Sequence, residues 1–144
     1  MNATIRAAGA GDAVAIAGLI REMAATFGES SPVEPPWVEA FLTRDDAGAF
    51  VAEGGGVVIG VVTWFLFPGL YHAAHCATVD EAIVTAEHRR RGIGTALLRH
   101  TMGHLEALGV AEIGISTGLE NEGAQRLYHR LGFTDASLLM ERHL

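Results

Sequence analysis

The sequence predicts an α/β (α+β) domain in which a mixed central sheet carries helices on both faces. Apolar residues recur at helical spacing in four segments and form short strand-like runs in six others. These segments follow one another in the order βααβββαβαβ. Such an order joins a meander of strands to two strand–helix units, so one sheet must hold both antiparallel and parallel neighbours.

The amino-terminal part predicts one strand and two helices. Thr4–Ala8 is a short apolar run typical of a strand, and Asp12 is a favourable N-cap for the helix that follows. The buried face of this helix is formed by Val14, Ile16, Leu19, Ile20 and Met23. Residues 27–37 contain three prolines, which forbid a continuous helix, so a second short helix is expected only after Pro36.

The middle of the chain predicts strands joined by a tight turn. Phe50–Glu53 and Val57–Phe67 flank three consecutive glycines, a pattern that favours a hairpin. Ala77–Val84 is a further strand, and a long helix with apolar residues at helical spacing then runs to Gly109.

The remaining elements follow in the last quarter of the chain. Glu112–Ser116 predicts a strand, Glu122–Leu131 a helix and Phe133–His143 a final strand. No stretch resembles a flexible linker and no segment repeats, so residues 1–144 are expected to form a single domain.

Composition excludes several functions. All ten cationic residues are arginine, which rules out a Schiff-base lysine and the phosphate-binding lysine of a Walker loop. The net charge of -7 leaves no basic footprint for a nucleic acid partner. Residues 1–72 carry three arginines and eight acids, whereas residues 73–144 carry seven and nine, so an anionic ligand is expected in the second half.

Cysteine usage and hydropathy bear on the compartment. Cys76 is the single cysteine, so no internal disulfide can form and a reducing environment is favoured. The sequence shows neither a signal-peptide pattern nor an apolar run that could cross a bilayer, so we expect a cytoplasmic protein without a membrane partner. His72, His75 and Cys76 match no common ligand spacing, and no metal site is expected.

One segment is suited to bind an anion through its backbone. Residues 89–95, RRRGIGT, lie between a predicted strand and the long helix. Gly92 and Gly94 allow backbone N–H groups to converge, and the first turn of a helix offers unpaired N–H donors to a diphosphate. A dinucleotide-binding fingerprint would need a third glycine where Leu97 stands. The motif alone fits a tight turn with solvated arginines equally well.

A second block makes the anion loop more specific. Arg89-x-x-Gly92-x-Gly94 and the segment 82–89 before it resemble the cofactor-binding signature of the GCN5-related N-acetyltransferase (GNAT) family. Residues 121–133 resemble the family's Asn-x-x-Ala-x-x-x-Tyr-x-x-x-Gly-Phe block. The resemblance covers residues 77–133, with Ala86 standing where many members carry proline. It implies a GNAT-like fold with a splayed central sheet.

The resemblance implies where acetyl-CoA binds. The loop backbone would hold the pyrophosphate, the strand edge the pantetheine arm, and a family asparagine would lie nearby. By position the binding residues are Ile83, Val84, Arg89, Arg91, Gly92, Ile93, Gly94, Thr95, Asn121 and Tyr128.

The resemblance also implies direct transfer of an acetyl group to a primary amine. The N–H of Val84 would face the thioester oxygen and stabilise the oxyanion, and Tyr128 would return a proton to the leaving sulfur. Without the family block, the preferred interpretation of Tyr128 is a core aromatic residue of its helix, because helical aromatics more often belong to the core; the block favours the role of general acid.

A carboxylate is the expected general base, because an amine of pKa near 10 must lose a proton before it attacks. Asp80 and Glu81 lie on the strand that ends at the acyl site. Adjacent strand residues point to opposite faces, so only one of them is expected in the cleft. Glu81 is preferred, and a bulge on this strand can change which of the two faces the cleft.

The acceptor side is expected to be acidic and aromatic. Residues 27–37 and 64–75 hold Glu29, Glu34 and an aromatic wall made of Trp37, Trp64, Phe65, Phe67, Tyr71 and His72. Such a surface favours a cationic small-molecule or peptide amine. A non-catalytic acyl-CoA-binding sensor remains the alternative function, and a homodimer is compatible with the sequence.

Overall fold

The computed structural model describes residues 2–144 and contains one five-stranded sheet. In chain order its strands are β1 (Thr4–Ala7), β2 (Ala47–Gly54), β3 (Val57–Gly69), β4 (Ala74–Val84) and β5 (Ile113–Ile115), and they lie side by side in that order. The first four strands are antiparallel, and β5 runs parallel to β4. The predicted mixed sheet is therefore confirmed.

Helices cover both faces of this sheet. The four α-helices are α1 (Ala13–Thr26), α2 (Pro35–Leu42), α3 (Ile93–Ala107) and α4 (Glu122–Arg130), and two short 3₁₀ turns cover Ala10–Asp12 and Ala86–His88. One apolar cluster joins α1 and α2 to the sheet, and a separate cluster joins α3 to the opposite face. Among residues 2–144, no helix has the length and apolarity required to cross a membrane.

The hairpin between β2 and β3 forms at the glycine run, as predicted. Gly55 and Gly56 have φ values of 60° and 79°. Two consecutive residues in the left-handed region are what a primed turn requires, and glycine adopts this conformation without steric cost.

Asp12 occupies the position before α1 but does not cap that helix. Its carboxylate accepts the Gly9 N–H at 2.8 Å and two hydrogen bonds from Arg6, at 2.8 and 2.9 Å. Asp12 therefore fixes the turn that precedes α1 and fastens it to β1.

A bulge interrupts the pairing of β3 with β4. Val62 lies opposite Ala82 and Trp64 opposite Val79, so the single residue between them, Thr63, faces both Asp80 and Glu81. The side chains of β4 change faces across this point: Val79 packs on the side of α3, and Ile83 on the side of α1.

The predicted final strand, Phe133–His143, is wrong. Residues 133–144 form no strand, and Leu138, Leu139 and Met140 are exposed. A strand at a sheet edge buries alternate residues, whereas these three apolar residues are consecutive, and β5 beside them is only three residues long.

Candidate active site

The candidate site lies where β4 and β5 separate. Among residues 2–144 these strands pair only over Ala77–Val79 and Ile113–Ile115, so the last five residues of β4 have no neighbouring strand on that side. The Thr85 N–H donates to the Ile59 carbonyl at 2.8 Å, and the alternation of an antiparallel ladder then directs the N–H and C=O of Val84 and Ala82 away from β3. This edge offers backbone groups to an extended ligand.

The same register changes the expectation for Ile83. Its backbone groups point toward Val61 on β3, and its side chain is buried on the side of α1. A backbone contact between a ligand and Ile83 is therefore not expected, and Ala82 takes its place beside Val84.

Arg89 closes the loop that follows β4. Its Nε donates to the Val84 carbonyl at 2.9 Å, which ties the start of the arginine run to the end of the strand. This contact occupies one of the two edge groups of Val84 and leaves its N–H directed toward the gap. Thr85 Oγ1 and His88 Nδ1, 2.9 Å apart, brace the same loop.

The loop and the first turn of α3 form a cradle of backbone donors. Arg90 and Gly92 have φ values of 64° and 77°. The first backbone hydrogen bond of α3 runs from the Ala96 N–H to the Gly92 carbonyl, at 3.0 Å. The N–H groups of residues 93–95 precede this bond and therefore have no acceptor within the helix. These groups and the helix dipole favour an anion at this position.

The cradle adjoins the open end of β4. A Cβ placed on Gly94 would lie 3.7 Å from Val84 Cγ2, so the helix start and the strand end are in contact range. An anion at the cradle and an extended chain along β4 can therefore belong to one ligand. Arg91 is exposed and directly precedes Gly92 of the cradle in sequence.

Two acidic residues occupy the bulge of β4. Glu81 is half-buried, and its carboxylate accepts a hydrogen bond from Thr63 Oγ1. Burial raises the pKa of Glu81, the Thr63 hydrogen bond opposes that rise, and the neighbouring Asp80 reinforces it. The bulge thus brings Asp80 close to Glu81, whereas regular alternation would have placed them on opposite faces.

Tyr128 lies on α4 at the border of the α3-side cluster. It is half-buried, and its ring packs edge-on against Phe133 with the centroids 6.1 Å apart. Val84 borders the same cluster. Burial raises the pKa of Tyr128, so its phenol carries a proton at neutral pH and can donate it.

Asn121 has a structural task at the start of α4. Its Oδ1 accepts the Ala124 N–H at 3.0 Å, which caps the helix that carries Tyr128. Its side-chain NH₂ group remains for a ligand.

The expected aromatic wall is divided between the two faces of the sheet. Trp64 packs on the α3 side, with its ring centroid 5.3 Å from that of His104, and it is buried. Phe65 and Phe67 follow Thr63 on the other face at alternate positions, and their centroids are 6.3 Å apart. Trp64 is therefore not part of an acceptor surface.

Sequence reasoning missed Thr63. It stands within an apolar run, between Val62 and Trp64, where a threonine is unremarkable in a strand. One signal was available, because Thr63 is the only polar side chain among the eleven residues from Val57 to Phe67. The residue that Thr63 contacts depends on the register between β3 and β4, which no local pattern reveals.

Comparisons with known proteins match this chain to one family. A family model described as the acetyltransferase (GNAT) family matches residues 16–133. A phosphinothricin N-acetyltransferase of Streptomyces viridochromogenes is 29% identical over 136 residues, which covers 90% of this chain and 73% of that protein.

Two further relatives are matched over a smaller share of their length. An uncharacterized N-acetyltransferase of Methanocaldococcus jannaschii is 31% identical over 102 residues, covering 68% of this chain and 44% of that protein. A [ribosomal protein bS18]-alanine N-acetyltransferase of Escherichia coli is 37% identical over 62 residues, which cover 43% of this chain and 42% of that protein. The chain thus spans less than half the length of these two relatives.

Solved structures share the fold at low identity. An aminoglycoside acetyltransferase from an uncultured soil metagenomic sample superposes with a TM-score of 0.83 at 19% identity, covering 99% of this chain and 95% of that one. A ribosomal-protein-alanine N-acetyltransferase of Brucella melitensis superposes with a TM-score of 0.80 at 22% identity, covering 99% of this chain and 100% of that one.

Proposed function

The chain belongs to the acetyltransferase (GNAT) family, and from this premise we propose that it is an acetyl-CoA-dependent N-acetyltransferase acting on a primary amine. The observation that carries the proposal is the cradle of free backbone N–H groups beside the open edge of β4. Together they fit a ligand with a diphosphate at one end and an extended amide chain at the other.

Acetyl-CoA supplies the activated acyl group. The N–H groups of residues 93–95 would bind its pyrophosphate, with Arg91 beside them. The edge groups of Ala82 would bind the pantetheine amides, and the N–H of Val84 remains for the thioester oxygen. Because no lysine exists in the chain, this anion binding relies on backbone amides and arginines rather than on a lysine ammonium.

Three groups of the chain would act on the reacting atoms. The Glu81 carboxylate takes a proton from the ammonium of the acceptor, directly or through water, and the free amine then forms the C–N bond. The Val84 N–H donates to the thioester oxygen, where negative charge develops. The nitrogen of the tetrahedral intermediate releases its remaining extra proton to water. As the C–S bond breaks, the Tyr128 phenol protonates the sulfur. Tyr128 then regains a proton from solvent, and Glu81 gives up to solvent the proton it took from the acceptor.

The acceptor would be a cationic amine, since Asp80 and Glu81 lie at the site and residues 1–72 hold eight acids against three arginines. The names of the relatives suggest a panel: an aminoglycoside, a peptide with amino-terminal alanine, phosphinothricin and a polyamine. Release of free CoA measures turnover with each.

Calorimetry with acetyl-CoA precedes the panel and separates the possible functions. Binding followed by CoA release with at least one amine is the expected result. Binding without turnover across the panel would favour the acyl-CoA sensor, and absence of binding would exclude both functions.

Tyr128→Phe tests the proton donor. Turnover should fall roughly 10²-fold, the usual contribution of one general acid, while the Kd for acetyl-CoA stays within about twofold. Wild-type turnover in Tyr128→Phe would remove Tyr128 from the mechanism.

A further inference from the structure

We propose that Thr63 is a positioning residue that holds Glu81 in the orientation required of the general base. The inference rests on the proposed function only in giving Glu81 that role. The contact itself is a property of this chain, and neither the sequence motifs nor the family resemblance points to it.

The hydroxyl of Thr63 makes two contacts with one residue. Its Oγ1 accepts the Glu81 N–H at 2.9 Å and donates its own proton to Glu81 Oε1. A hydroxyl has a single proton, so the donation is committed to this carboxylate. Thr63 is 5% exposed, which leaves water little access to replace either contact.

The bulge explains why a side chain is needed here. Thr63 faces two residues of β4, so the ladder cannot supply a β3 carbonyl for every N–H at this point. Thr63 Oγ1 takes the place of that carbonyl for Glu81. Because threonine is branched at Cβ, its χ1 angle is restricted, and the acceptor is held in place without further support.

The two contacts fix both the backbone and the side chain of Glu81. Its N–H can reach Oγ1 only while the bulge persists, and its carboxylate is then directed along β3 on the side of α1. A freely rotating glutamate would spend part of its time away from the acceptor amine. Immobilising the carboxylate in one place is the usual means by which a positioned base gains its advantage.

Few charges act on this carboxylate. Asp80, in the same bulge, opposes ionisation of Glu81, and β3 carries no titratable group. On α1, Arg21 binds Glu34 and the Val33 carbonyl, while Glu22 accepts from the Ala86 N–H at 3.3 Å. Thr63 is therefore the donor that favours the ionised form, and removing its hydroxyl should raise the pKa of Glu81.

Thr63→Val tests this directly, since it removes the hydroxyl and keeps the shape. The readout is a ¹³C NMR titration of the side-chain carboxyls in protein labelled at glutamate, with Glu81→Gln assigning the signal. We expect the pKa of Glu81 to rise by about one pH unit, about the effect of losing one hydrogen bond to a charged group. An unchanged titration would overturn the proposal.

Thr101→Val is the matched control. Thr101 is also buried, and its Oγ1 donates a hydrogen bond to the Leu97 carbonyl within α3, away from the bulge. Its substitution should leave the titration of Glu81 unchanged, and Thr63→Ser should restore the wild-type value. If Thr63→Val fails to fold, Thr63→Ser and Thr63→Ala give the same comparison, because they differ from each other only in the hydroxyl.

Kinetics then separates this inference from the proposed function. With the best amine of the panel, the acid limb of kcat/KM should move to higher pH in Thr63→Val by the amount found by NMR. The pKa of the acceptor amine is the same for all variants, so it does not contribute to a difference between their acid limbs. A shifted NMR titration with an unmoved acid limb would overturn the positioning role. Full activity of Glu81→Gln would instead refute Glu81 as the base, whatever Thr63 does.

Discussion

Arg6 joins three parts of the chain through one guanidinium. It makes a bidentate pair with Asp12 and reaches Glu53 Oε1 at 3.2 Å, so it links β1, the turn before α1 and β2. The carboxylate of Asp12 also accepts the Gly9 N–H and is nearly buried. Paired and hydrogen-bonded carboxylates of this kind contribute stability only while they are ionised.

Asp12→Ala should lower the free energy of unfolding by about 1–3 kcal/mol at pH 7, the usual cost of leaving such partners unmatched. The Arg6 contact holds the pKa of Asp12 below its ordinary value near 3.8. The stabilisation is therefore fully present above that value and is lost as the pH falls through the lowered pKa of the folded state.

Urea unfolding from pH 7 to pH 2.5 measures this effect as the difference between wild type and Asp12→Ala. Asp46→Ala is the control, since Asp46 pairs with Arg44 on an exposed surface and should change stability little. A difference for Asp12→Ala that stays constant down to pH 2.5 would contradict the role of its ionised form.

The choice between Asp80 and Glu81 shows the limit of sequence reasoning about single residues. Alternation along β4 assigns opposite faces to the two side chains. The bulge that changes this depends on how β3 and β4 align, and no local pattern encodes that alignment. The cradle was predictable because Gly92 and the start of α3 are adjacent in sequence, so the required backbone conformation is a local property.

At the scale of elements, the contact of α3 with β3 depends on a missing side chain. A Cβ on Gly60 would lie 3.0 Å from Leu97 Cδ1 and 3.2 Å from the Ile83 carbonyl. Leu97 is fully buried in the α3-side cluster. The absence of a side chain at Gly60 therefore lets α3 approach the sheet directly below the cradle.

Gly60→Ala should destabilise the protein by about 1–3 kcal/mol, because the Leu97 side chain and the end of β4 must both move away from the added methyl group. Since α3 carries the cradle, the Kd for acetyl-CoA should rise as well. Gly103→Ala is the matched control: a Cβ there meets nothing within 4 Å, and the exchange should stabilise α3 by about 0.5–1 kcal/mol. Thermal unfolding and calorimetry measure both; equal behaviour of the two variants would contradict the close-contact argument.

Elements with a strong apolar period were predictable, and those that depend on pairing were not. The α1 and α3 helices each present buried residues at helical spacing, and both form near the expected bounds. The segment 133–143 has apolar residues but no alternation, and it remains outside the sheet. β5 has only three residues, and its pairing with β4 ends at Val79; where such pairing ends depends on the sheet as a whole and not on a local pattern.

At the scale of the whole molecule, charge is distributed in a way that suits two different ligands. Three consecutive exposed arginines, Arg89 to Arg91, flank the cradle, whereas the first half of the chain is strongly acidic. A polyanion and a polycation can thus be attracted to the same cleft from different sides. Attraction of this kind acts on encounter rates and weakens as salt screens it.

The salt dependence of turnover should therefore reveal the acidic half. At saturating acetyl-CoA, kcat/KM for a multiply charged amine should fall more steeply with ionic strength than kcat/KM for a singly charged amine. Glu29→Gln, in the segment between α1 and α2, should lower the low-salt value for the multiply charged amine about twofold and have no effect at high salt. Glu106→Gln removes the same charge from α3 on the opposite face and should have a smaller effect. Parallel salt curves for the two amines would show that steering by the acidic half plays no part in acceptor capture.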